Sequence, residues 1–134
     1  MTVTLKVNCP ISVGELIDKI TILEIKEKKI TDKAKLFNIH RELKQLSAQS
    51  GNLPQTDALV TLIRRLKTIN LHLWEIEDKI RLHEADKDFG PSFVQLARAV
   101  YKTNDQRFEL KSEINKLTGS ELVEEKSYTD YGKS

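Results

Sequence analysis

TDALVTLIRRLKTINLHLWEIEDKIRLHE, residues 56–84, is the stretch that decides the fold. Its apolar residues recur at alternating intervals of three and four, which aligns them along one side of a long helix, as in a coiled-coil seam. The seam consists of Leu59, Leu62, Leu66, Ile69, Leu73, Ile76 and Ile80. A second stripe at helical intervals is polar apart from one indole and consists of Asn70, Trp74, Glu77, Arg81 and Glu84. The stretch therefore predicts a helix with an apolar face and a mostly polar one.

Three further helices are predicted from their start and stop signals. They extend from Ser12 to about Lys29, from Thr31 or Asp32 to about Gln49, and from Pro91 to about Thr118. Ser12 and Glu15 have the spacing of a capping box, and Gly119 suits a left-handed helix cap. The connections are short, so we expect an all-α fold, an antiparallel bundle of about four helices with two long C-terminal ones.

Both ends of the chain are predicted to lie outside the helices. Residues 2–8 alternate between polar and apolar side chains, which is typical of a short β-strand. A lone strand needs a partner for its backbone groups, either the C-terminal tail or the same strand of a second chain. We therefore expect one domain over residues 1–134, with a strand arm at 1–9 and a polar tail at 120–134.

Composition narrows the classes of function. The chain has 134 residues with 22 basic and 20 acidic side chains, well interspersed, so no basic face for nucleic acid is predicted. No apolar run could span a membrane, and the N-terminus lacks the apolar core of a secretory signal. The single cysteine, Cys9, is interpreted as a small buried thiol in a reducing compartment. A cytoplasmic protein is expected, without a membrane or nucleic-acid partner.

A polar site is predicted between the third and fourth helices. If they form a hairpin about Asp88, Trp74 faces Asn104 and Asn70 faces Arg107. Thr103 and Arg107 are the polar members of the fourth helix's seam, and they fall opposite the polar stripe. The candidate ligand-binding residues are Asn70, Trp74, Glu77, Arg81, Glu84, Arg98, Asn104 and Arg107.

Two interpretations of this site remain open. In the first it is a pocket, where Arg107 binds a carboxylate or phosphate, Trp74 stacks on a ring and Glu77 acts as a base. In the second it is a buried polar layer that fixes helix register, with Arg107 paired to Glu77 and oriented by Asn104. No metal is predicted, because His72 and Glu75 lack the repeated Glu-x-x-His spacing of di-iron bundles. No cofactor is predicted either.

Four segments resemble an uncharacterised bacterial family of short helical proteins, a domain of unknown function. They are PISVGELIDKITILEIK at 10–26, LWEIEDKIRLHE at 73–84, LARAVYKTNDQRFELKSEIN at 96–115 and EEKSY at 124–128. The motif residues of that family found here are Glu15, Asp18, Lys19, Trp74, Glu77, Asp78, Arg81, Glu84, Arg98, Asn104, Asp105 and Arg107. The resemblance implies no assigned activity, so catalytic residues remain unknown.

Two functional hypotheses follow from these patterns. The first is a helical-bundle protein that acts by self-association or protein–protein interaction, most simply as a homodimer, because its long seams and the wide apolar arc of the first helix exceed what one chain needs. The alternative is an enzyme or binding protein for a small anionic metabolite, nucleotide- or sugar-linked, at the polar site.

Overall fold

The computed structural model describes residues 4–132 of the chain. Within that range it has four α-helices and one short 3₁₀ turn, but no β-strand. The helices are α1 (Val13–Lys29), α2 (Lys33–Gln49), α3 (Asp57–Ala85) and α4 (Pro91–Thr118), and the turn is Ser50–Asn52. The all-α prediction is confirmed, and the predicted helix limits nearly coincide with the observed ones.

Local side-chain chemistry fixes where the helices begin and end. Three begin after a residue whose side chain accepts a hydrogen bond from the amide three residues on: Ser12, Asp32 and Thr56. Gly119 ends α4 in the left-handed conformation, with φ of 65°. The Glu15 carboxylate lies against Lys111 Nζ at 2.6 Å, a long-range contact that the predicted capping box did not include.

The core lies where three helices meet. α3 and α4 form a hairpin through residues 86–90, α1 packs against both, and α2 packs on α1. The core cluster consists of Ile17, Leu59, Leu66, Leu110 and Ile114. All seven predicted seam residues of α3 are buried or half-buried, as the three-four spacing predicted. α2 contributes less, since Ile39 is its one buried residue.

The predicted N-terminal strand is wrong for the residues that the structure describes. Residues 4–12 have no regular secondary structure, and Leu5 and Val7 are 84% and 74% exposed. The remaining strand positions, residues 2 and 3, lie outside the described part of the chain. The physical reason is that a bundle of helices offers no sheet edge, and the tail at 120–132 forms no strand to pair with.

Gly14 lies at a close approach of α1 to α4. A Cβ built there would lie 2.5 Å from the Lys111 carbonyl oxygen, and the Gly14 amide donates to Asn115 Oδ1 at 2.6 Å. We expect Gly14→Ala to lower the free energy of unfolding by about 1–3 kcal/mol in urea denaturation, because backbone must move to admit a methyl group. Gly51→Ala is the control, since nothing lies within 4 Å of its Cβ position. Equal stability of Gly14→Ala and the wild type would contradict this close approach.

Candidate functional site

A buried carboxylate on α1 is the centre of the site. Asp18 is 0% exposed, and its Oδ1 atom accepts hydrogen bonds from Arg107 Nε and Asn70 Nδ2, both at 2.9 Å. Arg107 Nη2 donates to Oδ2, which completes a bidentate pair. Asn70 also donates to Thr21 Oγ1 at 2.9 Å. One carboxylate thus ties α1 to both helices of the hairpin.

The partners of Asp18 keep it charged. Burial raises the pKa of the Asp18 carboxyl, but hydrogen bonds from Arg107 and Asn70 and the positive charges of Arg107 and Lys111 outweigh burial. The Asp18 pKa therefore lies below its ordinary value of 3.8. The hydrogen bond to Asp18 also raises the pKa of Arg107. Both groups are ionised at neutral pH.

Lys111 extends the network towards the C-terminal tail. Its side chain is nearly buried, yet Nζ lies 2.6 Å from Glu15 Oε2, 3.1 Å from Glu124 Oε1 and 4.0 Å from Asp18 Oδ2. Burial lowers the pKa of Lys111, but its hydrogen bond to Glu15, its close contact with Glu124 and the nearby carboxylates raise it overall. One ammonium group therefore joins carboxylates from α1 and from the tail.

The tail runs along α4 and encloses a space against it. Ser120 Oγ accepts a hydrogen bond from the Val13 amide at 3.0 Å, and the Tyr131 hydroxyl lies 2.5 Å from Asp105 Oδ2. Between the tail and α4 lies a cavity of about 600 Å³, here called the tail cavity. Its lining includes Glu15, Tyr101, Asn104, Asp105, Arg107, Phe108, Lys111, Glu124, Lys126, Tyr128 and Tyr131.

A second space, the Trp74 groove, lies between α1 and the hairpin and measures about 490 Å³. Six of the eight predicted site residues line it: Asn70, Trp74, Glu77, Arg81, Asn104 and Arg107. The structure does not bring Glu84 or Arg98 to this groove. Glu84 pairs with Lys87 at 3.3 Å near the end of the hairpin, and Arg98 is exposed on α4. Arg107 and Asn104 line both spaces, so they lie between them.

The predicted pairing of Arg107 with Glu77 is wrong. Arg107 binds Asp18, while Glu77 lies 3.5 Å from Arg81 in an exposed pair. The site was predicted from the register of the α3–α4 hairpin alone, whereas the partner of Arg107 comes from α1. A buried carboxylate with bidentate geometry gains more from the guanidinium than an exposed one does.

Sequence reasoning missed Asp18, Lys111 and Glu124 as members of the network. Asp18 falls on one helical face with Ile22 and Ile25, and a carboxylate inside an apolar stripe is a signal of a buried, paired charge. The polar stripe of α4 likewise continues from Arg107 to Lys111 at helical spacing. Glu124 carries no such signal, because the tail has no regular period.

The structure also bears on metal binding, on Cys9 and on membrane crossing. Within residues 4–132 no three His, Cys, Asp or Glu side chains cluster as metal ligands would. Cys9 is exposed, so its interpretation as a buried thiol is wrong; the segment that carries it packs on no sheet. None of the helices described combines the length and apolar character that crossing a membrane requires.

No curated protein and no solved structure matches the chain. A family model does match, over residues 5–132, and its description is a family of unknown function, DUF6165. That match spans nearly all of the chain, which therefore belongs to this family of unknown function.

Proposed function

We propose that the protein acts by self-association, as a homodimer formed through the free end of its α3–α4 hairpin. The observation that carries this proposal is that residues 77–102, here called the hairpin end, include no buried side chain. The buried residues of α3 stop at Ile76 and those of α4 start at Thr103. The core therefore covers only the other end of these two long helices.

The hairpin end nevertheless carries the apolar residues of a core. Ile80, Phe93 and Leu96 of the seam are only half-buried, and Leu82 and Val94 are 65% and 50% exposed. Two helices cannot shield a seam from water on both sides, whereas a second hairpin would complete a four-helix arrangement. Apolar area left exposed in this way supports an interface.

Charge distribution supports a second copy of this chain as the partner. Residues 84–88 carry three acidic side chains and one lysine, whereas residues 91–104 carry Arg98 and Lys102 and no acid. Arg98 lies about 10 Å along α4 from Pro91 at ~1.5 Å per residue. An antiparallel two-fold contact would place the acidic tip of each hairpin against these cations of its partner, as a self-complementary interface requires.

Two charge-reversed chains test the homodimer. One carries Arg98→Glu and Lys102→Glu, the other Glu84→Lys and Asp86→Lys. We expect the wild type to sediment as a dimer at micromolar concentration, each variant alone as a monomer, and the equimolar mixture as a heterodimer, because only the mixture pairs opposite charges at both contacts. Circular dichroism checks that each variant is folded. A wild type that sediments as a clean monomer, or a mixture that stays monomeric, would refute the proposal.

A second candidate function is the binding of a small anionic metabolite in the Trp74 groove. Support comes from the six predicted residues that share this groove and from Arg107 Nη1, a donor to which Asp18 makes no hydrogen bond. Trp74 is the single tryptophan, so its fluorescence reports on this groove. A metabolite pool that neither quenches Trp74 nor raises the melting temperature would remove this candidate.

The remaining sequence expectations stay predictions. They are a single domain over residues 1–134, a cytoplasmic location, a bacterial origin, coiled-coil character of the seams and the motif set attributed to the family.

A further inference from the structure

We propose that the tail cavity is a binding site for a small aromatic carboxylate, and that the chain's own Glu124 holds the place of the ligand's carboxylate. The aromatic ring of such a ligand would lie between α4 and the tail. This inference does not rest on self-association, and the site adjoins the Trp74 groove, with which it shares Asn104 and Arg107. Three features of the cavity carry it: its anion position, the two lysines that flank that position and its aromatic lining.

The Glu124 carboxylate occupies an anion position, but its own hydrogen bonding there is incomplete. Its Oε1 atom is buried and lies 3.1 Å from Lys111 Nζ in an ion pair, but it makes no hydrogen bond among the described residues. Burial raises the pKa of Glu124, and Lys111 and Lys126 outweigh that effect, so the pKa lies below its ordinary value of 4.5. Lys111 is itself held in place by Glu15 at 2.6 Å. A free carboxylate could meet this fixed ammonium group with better geometry than the tethered one.

Two lysines flank the anion position. Once the Glu124 carboxylate turns away, Lys111 and Lys126 each lose a carboxylate contact, while Glu15 stays on Lys111. A ligand carboxylate restores both contacts in a partly desolvated place, where unpaired charge is costly. Lys126, now 3.2 Å from Glu124, would remain close to the incoming carboxylate.

The lining suits an aromatic ring. Lys126 Nζ already lies 5.7 Å from the Phe108 ring centroid and 5.8 Å from that of Tyr128, so one ring of α4 and one ring of the tail lie near a cation. Tyr101 and Tyr131, which also line the cavity, form a further aromatic pair with centroids 5.3 Å apart. Aromatic side chains pack rings in offset or edge-to-face contacts. A volume of about 600 Å³ is ample for a molecule of this size.

Calorimetric titration of the full chain with phenylacetate tests the site, with uncharged 2-phenylethanol as the matched probe. We expect phenylacetate to bind Glu124→Gln about tenfold more tightly than the wild type, because the competing tethered carboxylate is gone. Glu125→Gln, which changes an exposed neighbour, should bind as the wild type does. Tyr128→Ala in the Glu124→Gln background should weaken binding. Circular dichroism establishes that the variants are folded.

Each other outcome would overturn the inference. Equal affinity of the wild type and Glu124→Gln would show that Glu124 does not compete for the site. Equal affinity for phenylacetate and 2-phenylethanol would show that no anion position is involved. Absence of heat with Glu124→Gln at millimolar phenylacetate would exclude the site itself. Quenching of Trp74 along the same titration, without a response to Glu124→Gln, would place the ligand in the Trp74 groove.

Discussion

Arg107→Met should lower the free energy of unfolding by about 3 kcal/mol. The change leaves the Asp18 carboxylate buried at 0% exposure without its bidentate partner, and removal of one member of a buried ion pair costs about 3–5 kcal/mol. We expect the lower end of this range of free energies because Arg107 is itself partly exposed and Lys111 remains 4.0 Å from Asp18. Urea denaturation followed by circular dichroism measures the change.

The double variant Asp18→Leu/Arg107→Met provides the matched control. It removes both charges together, and replacing a buried pair by apolar residues is often neutral or stabilising. We therefore expect the double variant to be more stable than Arg107→Met alone. If instead the cost of the double variant equalled the sum of the costs of Asp18→Leu alone and Arg107→Met alone, Asp18 and Arg107 would not be coupled.

Acid titration gives a second measurement of the same pair. Because the folded pKa of Asp18 lies below 3.8, its contribution to stability is present above pH 3.8 and is lost as the pH falls through the folded value. The wild type should therefore lose stability in that acidic range. The double variant should lack the part of this loss that the Asp18 carboxylate causes. The same acid profile in both proteins would contradict this expectation.

Lys111→Met should cost about 2–3 kcal/mol of unfolding free energy and release the tail. Lys111 makes charged contacts to Glu15 and Glu124, and a hydrogen bond to a charged group contributes about 1.5–3 kcal/mol. Both carboxylates are partly exposed and can turn towards water, which limits the loss. Urea denaturation measures stability, and the rate of proteolysis after Lys126 measures how firmly the tail is held.

Lys116→Met on the same helix is the control for Lys111→Met. Its side chain is exposed, so we expect a change within about 0.5 kcal/mol. The raised pKa of Lys111 means that its contribution is present below pH 10.5 and is lost as the pH rises through the folded value. Lys111→Met should therefore flatten the alkaline part of the stability profile. Equal loss in Lys116→Met would point to a general charge effect.

The helices were predictable because their signals are local. The three-four seam of α3, the Ser12 cap and Gly119 each act within a few residues, and all three behave as the sequence indicated. The N-terminal strand failed for the opposite reason. Alternation can specify which side chains share a face, but a strand forms only where a partner edge exists.

The site was predictable only in part. Hairpin register brought Trp74, Asn104 and Arg107 to one level correctly, since a single turn fixes that geometry. It could not supply Asp18, because the position of α1 across the hairpin depends on tertiary packing. The polar stripe of α4 was visible in the sequence. Which carboxylate pairs with Arg107, Asp18 or Glu77, depends on which of the two is buried.

The long sequence separation of the network's contacts has a consequence for the order of folding. The bonds from Gly14 to Asn115 and from Arg107 to Asp18 span 101 and 89 residues, whereas the hairpin closes through a five-residue connection, residues 86–90. Distant contacts form only after a large loss of chain entropy. We expect the hairpin to assemble first and α1 to dock afterwards, so that changes at Asp18 accelerate unfolding far more than they slow folding. The ionic network would then slow the unfolding of the bundle without determining how fast it folds.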